Sequence, residues 1–309
     1  MVFSRILLPL DGSVHAEYAI SHAGRIARLF GSRVTLLRVL GGGAANGRTG
    51  SESIDWRLRR VEAERYLSAL QEDQRLAGVD IEVVLTEGRP ADRIADHIRR
   101  NDISLVIMSS WGAGEENEFP HGGTAFKVLS STRIPYLVVN DGPGTDGSGG
   151  YKRILVPLHG SHTYEAAAHV AVALGAGQDT DILFCHVVSE PVMPRRRPLT
   201  ASEISLKEQL IECNRRVAGS YLEELRDQLG KQHRIRIRLE VAGDPVACIA
   251  ELCRQETPDL MVLTASRGNE LSGWTSGSIL QTLLSSTHLP TMVIQGNIEI
   301  PGDVAGVTQ

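Results

Sequence analysis

The chain has 309 residues, 42% of them hydrophobic and 22% charged, with a formal net charge of −5. At about 150 residues per domain this length predicts two globular domains, and the composition excludes collagen-like and wholly disordered chains. The net negative balance supplies no broad cationic field, so neither nucleic acid nor an anionic membrane surface is expected as the main partner.

In the opening stretch, Arg5 and the Pro9-Leu10-Asp11-Gly12 turn interrupt the apolar run that an export signal needs. Apolar runs such as Ile6–Leu8 and Leu105–Met108 fall far short of the roughly 20 residues of a bilayer span. A cytoplasmic protein without a membrane span is expected. Cys185, Cys213, Cys248 and Cys253 form no CxxC pair and are expected to be reduced and structural.

Taken in chain order, strands are predicted near 4–9, 33–40, 80–86, 103–109 and 134–140, each read as buried on both faces of a parallel sheet. After the first, Ser13 is a candidate N-cap. Ala16, Ala19, Ile20, Ala23, Ile26, Ala27 and Phe30 then recur at helical spacing up to Gly31. Further helices are expected near 52–77, after Pro90, and near 123–131.

The pattern then starts again. Arg5-Ile6-Leu7-Leu8-Pro9-Leu10-Asp11-Gly12-Ser13 returns 148 residues later as Arg153-Ile154-Leu155-Val156-Pro157-Leu158-His159-Gly160-Ser161, with seven of nine positions identical. Ser130-Ser131-Thr132-Arg133-Ile134-Pro135 returns at an offset of 155 as Ser285-Ser286-Thr287-His288-Leu289-Pro290. A helix from Ser161 to Gly175, a strand over 181–188, and helices near 202–229, after Pro245 and near 277–286 complete the second copy. The order βαβαβαβαβ, read twice, predicts α/β architecture: two tandem doubly wound domains with five-stranded parallel sheets. They are placed at residues 1–141 and 151–309, with a linker at 142–150 inside the stretch Asp141–Gly150, which has no apolar side chain. The formal GxGxxG of Gly142–Gly147 precedes no helix, so it is not a dinucleotide fingerprint.

Open parallel sheets bind ligands outside the carboxyl ends of their strands, where the strand order reverses. The loops of interest therefore follow strands one and four. After strand one, Pro9, Leu10, Asp11, Gly12 and Ser13 lead into a helix. The Asp11 carboxylate either accepts hydrogen bonds from a base amino group or a ribose hydroxyl, or favours the helix N-terminus through the dipole. Its counterpart is His159.

After strand four come Met108, Ser109, Ser110, Trp111 and Gly112, then nine residues, then Gly122, Gly123 and Thr124. The second copy has Ala265, Ser266, Arg267 and Gly268, then eight residues, then Gly277, Ser278 and Ile279. Glycines beside a helix N-terminus let backbone N–H groups approach a phosphate. Trp111 either stacks on a base or packs over the loop.

These motifs, with the closing Pro-x-x-Val-Val strand, together resemble the universal stress protein family over almost the whole chain, twice. The resemblance implies a Rossmann-like fold, pseudo-two-fold pairing through the last strands near Tyr136–Val139 and Met292–Ile294, and a stress-response regulatory role. It also implies adenine-nucleotide binding, ATP foremost, with Mg²⁺ entering only alongside the nucleotide. In nucleotide-binding members the strand-one Asp contacts adenine and the strand-four glycine loop holds the phosphates. Asp11, Gly112 and Gly122 match in copy one, and Gly268, Gly277 and Ser278 in copy two. Copy one departs at Ser109, in place of the first glycine, and at Gly123, where Thr124 offers a hydroxyl one residue late. Copy two departs at His159, at Ala265 and in its shorter spacing. Copy one is the better nucleotide candidate.

The rival reading is a degenerate tandem scaffold that acts through protein contacts or another small ligand. No Walker A, HExxH or GxSxG motif is present, so no catalytic residue is assigned and only slow ATP hydrolysis is left open. His159, His162 and His169 lack supporting ligands for a metal, and Cys248 and Cys253 read as packed small hydrophobes. Gly41–Gly47 reads as a mobile loop, and the run Arg195-Arg196-Arg197 as solvated charge or as a clamp for a phosphate or an acidic partner. The partners expected are an adenine nucleotide, a regulatory protein and a second copy of the chain.

Overall fold

The computed structural model describes residues 3–41, 54–109, 123–140, 149–159, 165–191, 198–230, 233–265, 282–284, 286–287 and 289–295. Two compact units divide the chain, the first reaching Gly149 and the second beginning at Gly150.

In unit 1, β1 (Arg5–Pro9), α1 (Val14–Phe30), β2 (Arg33–Leu40), α2 (Ile54–Gln71), β3 (Asp80–Glu87), α3 (Pro90–Arg100), β4 (Leu105–Ser109), α4 (Thr124–Ser131) and β5 (Tyr136–Val139) alternate. All neighbouring strands are parallel, in the order β3-β2-β1-β4-β5. Right-handed crossovers place α1 and α2 on one face while the chain moves from β1 to β3. They place α3 and α4 on the other once it returns to β4 and β5. Unit 2 repeats the plan with β6 (Arg153–Pro157), α5 (Glu165–Gly175), β7 (Asp181–Ser189), α6 (Ala201–Gln228), β8 (Arg234–Ala242), α7 (Pro245–Glu256), β9 (Leu260–Ala265) and β10 (Thr291–Gln295). Its order is β8-β7-β6-β9-β10.

Helix α1 begins and ends where its sequence says. Ser13 accepts a hydrogen bond from the Ala16 N–H at 3.1 Å, and Gly31 closes the helix in the left-handed conformation at φ +64°. Its buried face, including Ala19, Ile20, Ala23 and Ile26, packs over β1, β2 and β4.

The sequence pattern misjudges two features. Strand β3 is half exposed rather than buried on both faces, because it ends the strand order, pairing with β2 along one edge, and carries polar residues at Asp80, Glu82, Thr86 and Glu87. The helix expected near 52–77 stops at Gln71 and is followed by a 3₁₀ turn at Gln74–Leu76. Asp73 caps that turn by accepting from the Arg75 N–H at 2.8 Å. The turn is pinned to α1, since Arg28 donates to the Arg75 carbonyl at 2.9 Å and Arg75 donates to the Glu17 carbonyl at 3.2 Å.

Two predictions concern this packing. A Cβ on Gly24 of α1 would overlap the Arg75 carbonyl oxygen. Gly24→Ala should therefore lower unfolding stability by about 1–3 kcal/mol in urea titration, despite the better helix propensity of alanine. His22, fully buried in α1, has its pKa lowered to about 3, first by burial and then by Arg25. The unfolded chain therefore binds the extra proton. The contribution of His22 to stability is present in full above pH 6.5 and is lost as the pH drops towards 3. His22→Gln should flatten that acid limb in thermal melts taken across the range.

Candidate functional site

The reversal of strand order lies between β1 and β4, whose register pairs Ile6 with Leu105 and Leu7 with Val106. Continued to the carboxyl edge, this register sets Pro9 level with Met108, so the two loops singled out from the sequence leave the sheet side by side. Leu10 extends the β1 edge by donating to the Leu37 carbonyl at 2.8 Å, and it is buried. Met108 and Ser109 are buried at the end of β4.

Asp11 is exposed at this edge. Its Oδ1 accepts from the Ser13 N–H at 2.9 Å and from the Ser13 hydroxyl at 2.6 Å, while Ser13 Oγ accepts from Ala16. The carboxylate thus helps build the turn that starts α1, and the turn in return fixes its orientation.

Gly12 adopts φ +84°, and a Cβ there would stand 2.5 Å from Arg38 Nη1. Arg38 is the residue sequence reasoning missed. It sits one step past the Pro9–Leu37 pairing, laying its guanidinium over the bare backbone of Gly12 and 4.9 Å from the centre of the Tyr66 ring. Burial, with the nearby Glu17 carboxylate, pushes the Tyr66 phenol pKa above its usual range. The signal was available in the repeat, because the same register in unit 2, Pro157 with Cys185, carries His186 next.

Gly123 stands at the N-cap of α4 without a side-chain capping bond, and Thr124 is the exposed first residue of the helix. The first turn of α4 therefore presents N–H groups that no N-cap side chain takes up. Trp111, Gly112 and Gly122 lie outside the described residues.

In unit 2, Leu158 repeats the edge contact, donating to the Cys185 carbonyl at 2.8 Å. His159, in the place of Asp11, faces His186 with ring centroids 6.3 Å apart. His186 Nδ1 lies 2.8 Å from the Leu158 carbonyl, which fixes the ring as an Nδ1–H donor. Burial lowers the His186 pKa, and the carbonyl only partly offsets this. Where unit 1 carries a carboxylate and a guanidinium, unit 2 carries two imidazoles. Ala265 is half-buried at the end of β9. Gly268, Gly277, Ser278 and Ile279, like Gly160, His162 and the Arg195–Arg197 run, lie outside the described residues.

A groove of about 360 Å³ opens at the ends of β2 and β3, lined by Leu40, Arg60, Leu85, Thr86, Glu87 and Arg93. It is displaced towards the sheet edge from the β1/β4 reversal. Its arginines are already engaged, Arg60 with Glu64 at 2.9 Å and Arg93 with the Glu87 carbonyl at 2.7 Å. Among the described residues no group of three His, Cys, Asp or Glu side chains is placed to hold a metal ion, and no helix is long and apolar enough to cross a membrane.

A model of the universal stress protein family matches residues 3–140 and again residues 150–295. The chain belongs to the universal stress protein family. Each copy accounts for one family domain. Universal stress protein YxiE of Bacillus subtilis is 26% identical over 149 residues, covering 45% of this chain and 99% of its own. A universal stress protein of Thermus aquaticus is 31% identical over 139 residues, again 45% of this chain and 99% of its own. The tandem plan has counterparts among solved structures. A universal stress protein from Archaeoglobus fulgidus aligns over 94% of this chain and 96% of its own with TM-score 0.64, at 16% identity. One from Pseudomonas aeruginosa aligns over 94% and 93% with TM-score 0.63, at 14% identity. At these identities the likeness establishes the shared fold.

The Gly12 contact yields a test. Gly12→Ala places a side chain at positive φ and against Arg38, and the flexible guanidinium must move off Tyr66. The expected result is a loss of about 1–2 kcal/mol in chemical denaturation, together with shifted Tyr66 ring resonances in NMR spectra.

Proposed function

We propose that this chain is a cytoplasmic stress-response regulator that binds an adenine nucleotide, most simply ATP, through unit 1. The observation carrying this reading is the Asp11 carboxylate, oriented by its own turn at the β1/β4 reversal and replaced by His159 in unit 2. A carboxylate accepts hydrogen bonds from a base amino group or a ribose hydroxyl, whereas the neutral imidazole offers a single acceptor. The donor set fits an anionic ligand, because Arg38 adds a cation beside Gly12 and the start of α4 has no capping side chain at Gly123. In this proposal Asp11 holds the base or ribose, and the stretch from Ser109 to Thr124 takes the phosphates. Mg²⁺ enters only with the nucleotide, and the role of the chain is binding rather than catalysis.

One observation favours the scaffold reading instead. Asp11 Oδ1 already receives both Ser13 donors, so the carboxylate has a structural use without any ligand. Isothermal titration with ATP separates the two, along with assay of nucleotide released when the purified protein is denatured. Binding is expected, and Asp11→Asn, which keeps an oxygen for the Ser13 turn, should weaken it roughly tenfold or more. That factor corresponds to about 1.4 kcal/mol for a charged hydrogen bond. His159→Ala should change it little. Neither heat at millimolar ATP nor released nucleotide would leave the scaffold reading. Turnover to ADP above about one per second would mark an enzyme.

A further inference from the structure

Arg38 stands apart from the other arginines at the ligand edge of unit 1. Its guanidinium lies over the Tyr66 ring, 4.9 Å from the centre, and against the bare backbone of Gly12. Among the described residues it donates no hydrogen bond and forms no ion pair. Arg60 and Arg93 differ, being engaged with Glu64 and with the Glu87 carbonyl. Two carboxylates share the surroundings of Tyr66 with Arg38, and both are turned to other groups. Asp11 Oδ1 takes the two Ser13 donors, and Glu17 lies 3.7 Å from Arg75 Nη2. A guanidinium held over a ring keeps its five N–H donors to give, in a fork that matches a phosphate. Arg38 is half-buried, so it has lost part of its hydration without gaining a counter-ion.

The strand order sets which part of a nucleotide this cation meets. In the order β3-β2-β1-β4-β5, the loop after β4 lies on one side of Asp11 and β2 lies on the other. Phosphates at the 5′ position, taken by the stretch that follows β4, are therefore on the far side of Asp11 from Arg38. Facing Arg38 is the opposite edge of the nucleotide. In parallel sheets that bind dinucleotides, a carboxylate beyond the first βα unit reads the free ribose 2′ hydroxyl, and an arginine there accommodates a 2′ phosphate. The same side of this sheet has room for such a group. Arg38 shares its sheet face with Leu40 and, through the register, with Leu85 and Glu87. Those three residues line the groove of about 360 Å³. Glu87 is exposed at the far end and has the wrong sign for an anion, which leaves the Arg38 end of the groove to receive one.

We infer that unit 1 prefers an adenine nucleotide that carries a second phosphate on a ribose hydroxyl, at the 2′ or 3′ position, and that Arg38 is the residue that reads it. The inference rests on the nucleotide reading of unit 1 given above and names the class of nucleotide. Arg38 takes the ribose phosphate through paired N–H donors. Asp11 then serves the base amino group, because a carboxylate placed against the added phosphate would repel it. Unit 2 lacks the device, since its counterpart His186 is turned to the Leu158 carbonyl.

The test is isothermal titration of the full chain at one ionic strength, because salt screens such contacts. ADP is compared with adenosine 2′,5′-bisphosphate and adenosine 3′,5′-bisphosphate, which carry the same number of phosphates. At least one bisphosphate should bind about tenfold or more tightly than ADP, the scale of a charged hydrogen bond. Arg38→Gln should cut that preference to below about threefold, and Arg38→Lys, which keeps the charge but not the fork, should retain only part of it. Each preference is a ratio measured within one variant, so a general loosening of the fold does not imitate the result. Equal binding of ADP and both bisphosphates to the natural chain would overturn the inference and leave the nucleotide reading standing. A preference that survives Arg38→Gln would do the same. No binding of ATP, ADP or either bisphosphate would remove the nucleotide reading and this inference together.

Discussion

The central strands of each unit are apolar along almost their whole length, and as parallel strands they need helical crossovers between neighbours. In unit 1, Ile6, Leu7 and Leu8 of β1 and Leu105, Val106 and Ile107 of β4 are buried, and in unit 2 Ile154, Leu155 and Val156 of β6 repeat the arrangement. That constraint sends every βα loop to one edge of the sheet. It also makes the reversal at β1 the place where sheets of this kind bind ligands. Neither Asp11 nor Met108 would be near the other without it.

The opposite edge of unit 2 shows how little of the polar surface bears on the site. At the amino ends of β6, β7 and β8, Asp181 accepts from Arg236 at 3.0 Å and from Arg153 at 3.2 Å, while Arg236 also reaches Glu256 at 2.8 Å. Burial alone would raise the Asp181 pKa, but the two guanidiniums outweigh it and hold the carboxylate below its usual range. Where the candidate site of unit 1 has Asp11 and Arg38, the network joins four charged side chains. It lies at the wrong end of the strands for a ligand in this architecture, and it serves to tie three strands together.

The two units treat the same edge differently. Asp11 and Arg38 in unit 1 correspond in sequence and register to His159 and His186 in unit 2, while the residues that follow the first of them, Gly12-Ser13 and Gly160-Ser161, are identical. Duplication of a fold fixes the backbone of a site twice, but the side chains that lend it charge remain local. A family match covering both copies therefore establishes the fold of each and leaves the chemistry to be read residue by residue.

Sequence alone determined the two-fold repeat, the alternation of strands and helices, the Ser13 start and Gly31 stop of α1, and the loops worth attention. These are properties of periodicity and turn chemistry within a few neighbouring residues. It also left Asp11 two open uses, as an acceptor for a ligand or through the helix dipole, and the Ser13 contacts add a turn-building role that spacing alone did not show. Tertiary structure decided what depends on register and proximity between distant segments. Arg38 reads as a plain strand residue until the Pro9–Leu37 pairing carries it over Gly12. Gly24 reads as a weak point in a helix until the Arg75 carbonyl is found against it. The helix expected near 202–229 forms, but its burial begins only at Ala218, because a sequence pattern tells which residues share a face and not whether anything covers it.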